Sequence, residues 1–263
     1  MTGRPTGLEL IRFHEESGRL ATVVLDRPPA NALSLQFMDE VDAITAYLET
    51  TELQLVVLRS SAPMFMAGAD LNMVDEGWDD QAATTEKCQA MMTRWERLPM
   101  MTLAVINGHA LGAGCELAMS CDFRLMAQGK ARIGLPESLR GLISAAGGTQ
   151  RMGRLVGPAR ALDMCVRGRM IDAGEAERLG LVNEAVNAEL LSERASELAV
   201  EILALPRLTT QAIKRCILFG LEQPLEEGLA LERRELAGLR DTHDTREGVR
   251  SFIEKREPKF TGR

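Results

Sequence analysis

Thr102-Leu103-Ala104-Val105-Ile106-Asn107-Gly108-His109-Ala110-Leu111-Gly112-Ala113-Gly114-Cys115-Glu116 is the stretch from which the organisation of this chain is read. Thr102 to Ile106 is a short buried strand, because β-branched and apolar residues run without a polar break. A glycine-rich turn follows, and Gly112-Ala113-Gly114 opens a helix through Cys115 to Met119. Small residues let a ligand approach the backbone, and the free N–H groups of a helix start attract negative charge. Glu116 stands in the first helical turn, where an acid also simply complements the helix dipole.

The same design occurs upstream. Leu53 to Leu58 reads as a buried strand that leads into Phe65-Met66-Ala67-Gly68-Ala69-Asp70-Leu71, with Asp70 placed to N-cap a short helix. Two such turns can each offer one backbone N–H to a single oxygen, which is how an oxyanion hole is built. Either turn alone is equally an ordinary strand-to-helix connection. Neither has the glycine spacing of a nucleotide-binding loop. Downstream, Glu137 follows Leu135-Pro136 after another short strand. Glu116 and Glu137 are therefore a candidate acid–base pair, although most carboxylates are only solvated charges.

Farther out, Leu8 to Phe13 and Leu20 to Leu25 read as paired strands, and Arg27-Pro28-Pro29 interrupts them. Ser34 caps an amphipathic helix that carries Phe37, Met38, Val41, Ile44 and Leu48 on one face. The pattern predicts a long helix over Thr84 to Leu98 and a strand over Asp122 to Met126. Asp172 with Glu175 starts a helix that stops near Gly180, and Leu181 to Val186 returns to strand. Strand signals end near Asn187. The rest reads as an all-helical appendage, so the expected division is a core over 1–195 and a helical region over 196–263.

The 263 residues suit one large α/β domain or a core with an appendage. A net charge of −7 argues against nucleic acid as partner, which calls for a basic footprint. Cys88, Cys115, Cys121, Cys165 and Cys216 form no paired motif, and with three histidines no zinc site or other metal site is expected. Scattered thiols fit a reducing compartment. With no apolar run of membrane-spanning length and no visible leader, a soluble cytoplasmic protein without membrane contact is expected.

Ala67-Gly68-Ala69-Asp70-Leu71, Asn107-Gly108 with Gly112-Ala113-Gly114-Cys115-Glu116, Cys121-Asp122 and Pro136-Glu137 together resemble the signature of the crotonase family, and in particular of its enoyl-CoA hydratases. Arg27-Pro28-Pro29-Ala30-Asn31-Ala32-Leu33, Gly147-Gly148-Thr149-Gln150-Arg151 and Gly180-Leu181-Val182-Asn183 extend the likeness over most of the chain. The resemblance implies an α/β fold, a spiral of ββα units with a C-terminal helical trimerisation region, and assembly as a homotrimer or a dimer of trimers. It also implies a coenzyme A thioester as substrate, with no further cofactor. The thioester oxygen would lie between the N–H groups of Ala69 and Ala113. Glu116 and Glu137 would hold one water and add it across the 2,3 double bond. An isomerase or another acyl-CoA reaction of the family is the alternative, and the two glutamates favour hydration.

By the same resemblance, Pro29, Ala30, Ala67, Gly68, Asp70 and Leu71 would contact coenzyme A. The chain departs from the family pattern at two points. Ile143-Ser144-Ala145 stands where hydratases often carry Ile-Pro-Gly, leaving the Ala145 N–H as the candidate to position the water. Asn72 replaces a frequent lysine, so phosphate recognition would pass to Lys255, Arg256 or Lys259. Met73, Trp78 and Met91 are the acyl-pocket candidates, although methionine is also a common core filler. His109, beside the second loop, is expected to be non-catalytic.

Overall fold

A computed structural model describes residues 3–70 and 80–263. Its first hairpin begins three residues later than the sequence pattern implies. β1 (Ile11–Ser17) pairs antiparallel with β2 (Leu20–Leu25), Ile11 opposite Leu25. The preceding residues are held differently: the amides of Glu9 and Leu10 donate to the buried Glu40 carboxylate at 3.1 and 2.9 Å. Those amides are thus spent on a side chain and do not join the ladder.

β2 runs parallel to β3 (Leu55–Ser60), and the sheet continues through β4 (Met101–Ile106) and β6 (Phe123–Ala127) to β9 (Glu184–Val186). Every residue of β4 is buried, as a central strand requires. Thr102 and Asp122 tie the entries of β4 and β6 together reciprocally. The Thr102 amide donates to Asp122 Oδ2 at 2.8 Å, and the Asp122 amide donates to Thr102 Oγ1 at 2.9 Å. β9 is shorter than the expected Leu181–Val186 strand, because the Leu181 and Val182 amides return to Ala176 O. A second sheet joins β5 (Ala110–Leu111), β7 (Ile133–Gly134) and β8 (Met170–Ile171) in the order β5-β7-β8.

Ser34 caps α1 (Leu35–Leu48), its hydroxyl accepting from the Phe37 amide at 3.3 Å. α2 is Gln81–Glu96 and α3 is Ala113–Met119. The expected continuation of α2 to Leu98 fails because Arg97 and Leu98 close the helix onto Thr93 O and Trp95 O. α4 (Gly148–Val156) and α5 (Pro158–Val166) were not visible as separate helices in the sequence pattern. Asp172 caps α6 (Ala173–Leu179) through the Glu175 amide at 2.9 Å, and Gly180 ends it in the left-handed region.

The chain divides into two compact units, Met1–Leu98 with Thr102–Ser196, and Pro99–Met101 with Glu197–Arg263. α7 (Leu191–Leu203) spans the division. The second unit holds α8 (Arg207–Gly220), α9 (Leu225–Leu239) and α10 (His243–Glu254). Within it α8 packs on α9, supported by the Arg215–Glu235 pair, and the buried Lys214 ammonium donates to Met100 O at 3.0 Å. Asp244, also buried, fastens the C-terminal segment by accepting from the amides of Thr261 and Gly262 at 2.7 Å each. No helix of the described residues is long and apolar enough to cross a membrane.

Candidate active site

Three loops of the first unit meet beside one cavity, and backbone pairing brings them together. Met66 bridges to Ala110, and Leu33 bridges to Ala69, so residues 66–69 are zipped on both sides. The Leu33 amide donates to Gly68 O and the Asp70 amide to Leu33 O, both at 2.8 Å. Asn31 holds the Arg27-to-Leu33 segment in place. Its amide group reaches Ser60 Oγ at 2.7 Å and Phe65 O at 2.9 Å, and its backbone adopts a positive φ that asparagine tolerates. Arg27 pairs with Asp70 at 2.7 Å.

Parallel bridging leaves the Ala69 N–H directed away from Leu33. The Ala113 N–H belongs to the first residue of α3, where no intrahelical acceptor exists. Neither donates to a protein acceptor among the described residues. The backbone turns required here depend on glycine. Gly112 has φ +53, and a Cβ there would meet Glu137 Oε1 at 2.6 Å; a Cβ on Gly114 would fall 2.3 Å from Met66 O.

The cavity, about 170 Å³, is lined by Ala69, Ala113, Glu116, Glu137 and Ala145 together. Sequence reasoning had singled out these five, and the fold brings them to one place. Glu116 is buried at 3% exposure, and its Oε1 accepts the Gly148 N–H at 2.7 Å. Burial pushes its carboxyl up to about 7; the nearby Glu137 charge adds to this, while the amides of Gly148 and Ala146 pull the other way. Glu137 sits half-buried on a 3-10 turn, Glu137–Arg140, and its Oε2 accepts the Ser144 hydroxyl at 2.8 Å. Arg151 braces the intervening loop, donating to Ala146 O at 3.0 Å and pairing with Glu96 at 2.8 Å. Ala145 O accepts from Gln89 Nε2 at 2.6 Å.

The Glu116 shift has a consequence for stability. The folded state holds this proton up to about 7, whereas an unstructured glutamate loses it near 4.5. Stability is therefore full below pH 4.5 and falls as pH rises through 7. Glu116→Gln is expected to be more stable than wild type at pH 8, by up to about 3 kcal/mol, with the difference closing toward pH 4.5. Urea unfolding of both proteins across that range checks it; a gap that widens toward low pH contradicts the assignment.

Other sequence candidates fall elsewhere. Met91 is fully buried and does not line the cavity; its helix α2 instead presents Gln81, Thr84, Thr85 and Cys88. Burial pushes the Cys88 thiol up to about 12, so a neutral sulfur faces the cavity. Leu71, Asn72, Met73 and Trp78, and the helix that Asp70 was expected to cap, lie outside the described residues. Pro29 is exposed and joined to Pro28 by a cis peptide bond, Ala30 O accepts the Ala67 amide at 2.9 Å, and Gly68 is buried. Lys255 and Lys259 are exposed residues of the second unit, and Arg256 there is paired with Glu247 and Glu254. His109 does not line the cavity, and its Nδ1 has no partner among the described residues. Among the described residues no group of His, Cys, Asp and Glu could hold a metal ion.

Sequence reasoning missed Ser144 as the partner of Glu137 and Gly148 as the amide on Glu116. The Gly147-Gly148 pair carried the only signal for the second, since a Cβ on Gly148 would stand 2.7 Å from Glu116 Oε1.

A family model described as enoyl-CoA hydratase/isomerase matches residues 15–263. The chain belongs to this family. Within the enoyl-CoA hydratase/isomerase family, a protein of Mycobacterium bovis named as a probable enoyl-CoA hydratase is 38% identical over 257 residues, covering 95% of this chain and 97% of the relative. The 2,3-dehydroadipyl-CoA hydratase of Escherichia coli is 38% identical over 253 residues, covering 93% and 96%. The crystal structure of an enoyl-CoA hydratase from Bacillus anthracis superimposes with a TM-score of 0.91 at 34% identity, covering 97% of this chain and 100% of that one. The α/β architecture is thus the crotonase fold, and family members similar to this chain are named as hydratases, consistent with an enzyme of the hydro-lyase class.

Proposed function

We propose that the protein is a trans-2-enoyl-CoA hydratase that forms 3-hydroxyacyl-CoA. The observation that carries this reading is the convergence, on one cavity, of two carboxylates and two residues whose N–H groups lack acceptors among the described residues. A thioester oxygen between Ala69 and Ala113 would receive two hydrogen bonds as negative charge builds on it, which lowers the barrier to an enolate-like state. Glu116, ionised, takes a proton from water as the oxygen attacks C3. Glu137 supplies the proton at C2. A carboxyl near 7 is suited to proton transfer at neutral pH. The substrate itself supplies coenzyme A, so the chemistry calls for no other cofactor.

Two accompanying readings rest on separate observations. Five free cysteines suit a reducing, cytoplasmic setting. Ile217, Leu221 and Leu225 are more than half exposed on the second unit, as are Phe252 and Ile253 at 86% and 73%. Apolar area of that extent favours a homo-oligomer.

Incubation with crotonyl-CoA and longer trans-2-enoyl-CoA thioesters tests the function. Loss of enoyl absorbance with a product heavier by one water is expected. An isomeric product of unchanged mass decides for double-bond migration, and no turnover at any chain length removes the proposal.

A further inference from the structure

Ser144 lies between the two carboxylates, and the reaction as proposed above does not use it. Its hydroxyl donates to Glu137 Oε2 at 2.8 Å, and the residue is 7% exposed. Its Cβ stands 2.9 Å from the point where a Gly148 Cβ would be, a point also 2.7 Å from Glu116 Oε1. The other Glu137 oxygen, Oε1, lies against Gly112, the residue that precedes Ala113. The two oxygens of Glu137 therefore have different surroundings, one tied to a buried hydroxyl and one turned toward the oxyanion loop.

We infer that Ser144 is a positioning residue that assigns the two oxygens of Glu137 separate duties, keeping Oε2 as an acceptor and Oε1 as the atom that exchanges the proton with C2. This rests on the hydratase reading. In the hydration direction the Glu137 Oε1–H bond breaks as the C2–H bond forms, and the electron pair of that O–H bond stays on the carboxylate. The Ser144 O–H then donates to an ionised acceptor instead of a neutral one, and such bonds are the stronger kind. The hydroxyl thus strengthens its bond as the proton leaves, favouring the transition state over the bound substrate. A fixed Oε2 also prevents the carboxyl from rotating its proton away from C2. Ser138, on the same 3-10 turn, offers a contrast: its hydroxyl is buried with no partner among the described residues.

The test is steady-state hydration kinetics of the full chain as wild type, Ser144→Ala, Ser138→Ala, Glu137→Gln and the Ser144→Ala/Glu137→Gln double variant. Removing one oxygen adds no volume, and circular dichroism confirms that each variant is folded. Ser144→Ala is expected to lower kcat roughly tenfold with KM nearly unchanged, as loss of a charge-assisted hydrogen bond would do. In the Glu137→Gln background the same change should have no further effect, and Ser138→Ala should match wild type. Wild-type kcat in Ser144→Ala overturns the inference, as does an effect on KM alone or an equal loss with and without Glu137. If Glu137→Gln itself keeps wild-type activity, the role given to Glu137 fails first, and that result is distinguishable from a failure of Ser144 alone.

Discussion

Glu116→Gln and Glu137→Gln should each cut enoyl-CoA hydration by about 10²- to 10⁴-fold in kcat, the range that positioned acids and bases contribute. Glutamine nearly preserves shape, and at position 116 its oxygen can still accept the Gly148 amide, so the loss reports proton transfer and not packing. The two losses should not multiply. In the proposed reaction both side chains act on one water, and once either fails to do its part the other has little left to assist. A double variant therefore falls close to the worse single one. Stopped assays at substrate saturation measure this directly. Multiplicative losses would mean that the carboxylates serve separate steps. Retained activity in either single variant would remove that residue from the chemistry.

Gly114→Ala is expected to cost both stability and turnover. The added Cβ would stand 2.3 Å from Met66 O and 2.9 Å from Met66 C, which are backbone atoms and cannot swing aside. Met66 bridges to Ala110 and leads into Ala69, so displacing it separates the two candidate oxyanion donors. Overpacking costs about 1–3 kcal/mol, and loss of one oxyanion donor costs about 10²- to 10³-fold in kcat. Gly114→Ala should therefore lower the Tm by several degrees and lose turnover together. Gly153→Ala is the control: nothing lies within 4 Å of its Cβ in α4, and alanine is the better helix former, so Tm should hold or rise. A folded, fully active Gly114→Ala protein would show that the loops are not held as described.

The central strand, the two glycine turns and both glutamates were legible because each is encoded locally. Strand, turn and helix start follow one another within fifteen residues from Thr102 to Glu116. The contacts made on the glutamates were not legible. Ser144 and Gly148 reach Glu137 and Glu116 across separations that only the folded loop creates. The α2 wall of the cavity shows the same limit. Gln81, Thr84, Thr85, Cys88, Met91 and Trp95 form one continuous stripe along α2, and periodicity alone does not say where along it the cavity gives way to core. The fold puts that change between Cys88 and Met91, so the pattern points to buried Met91 where Gln81, Thr84 and Thr85 face the cavity. The late start of β1 has a similar origin, since a single distant carboxylate, Glu40, takes the amides that a local pattern assigns to a strand.

The bridges that zip residues 66–69 between Leu33 and Ala110 bear on how such a site changes over generations. The amides of Ala69 and Ala113, two residues that line the cavity, are oriented by a main-chain bridge and a helix start, and their side chains have no part in aiming them. Residues around the rim can then be exchanged without moving these amides. Positions 112 and 114 have no room for a side chain, so the constraint on this site lies in its empty positions more than in its occupied ones.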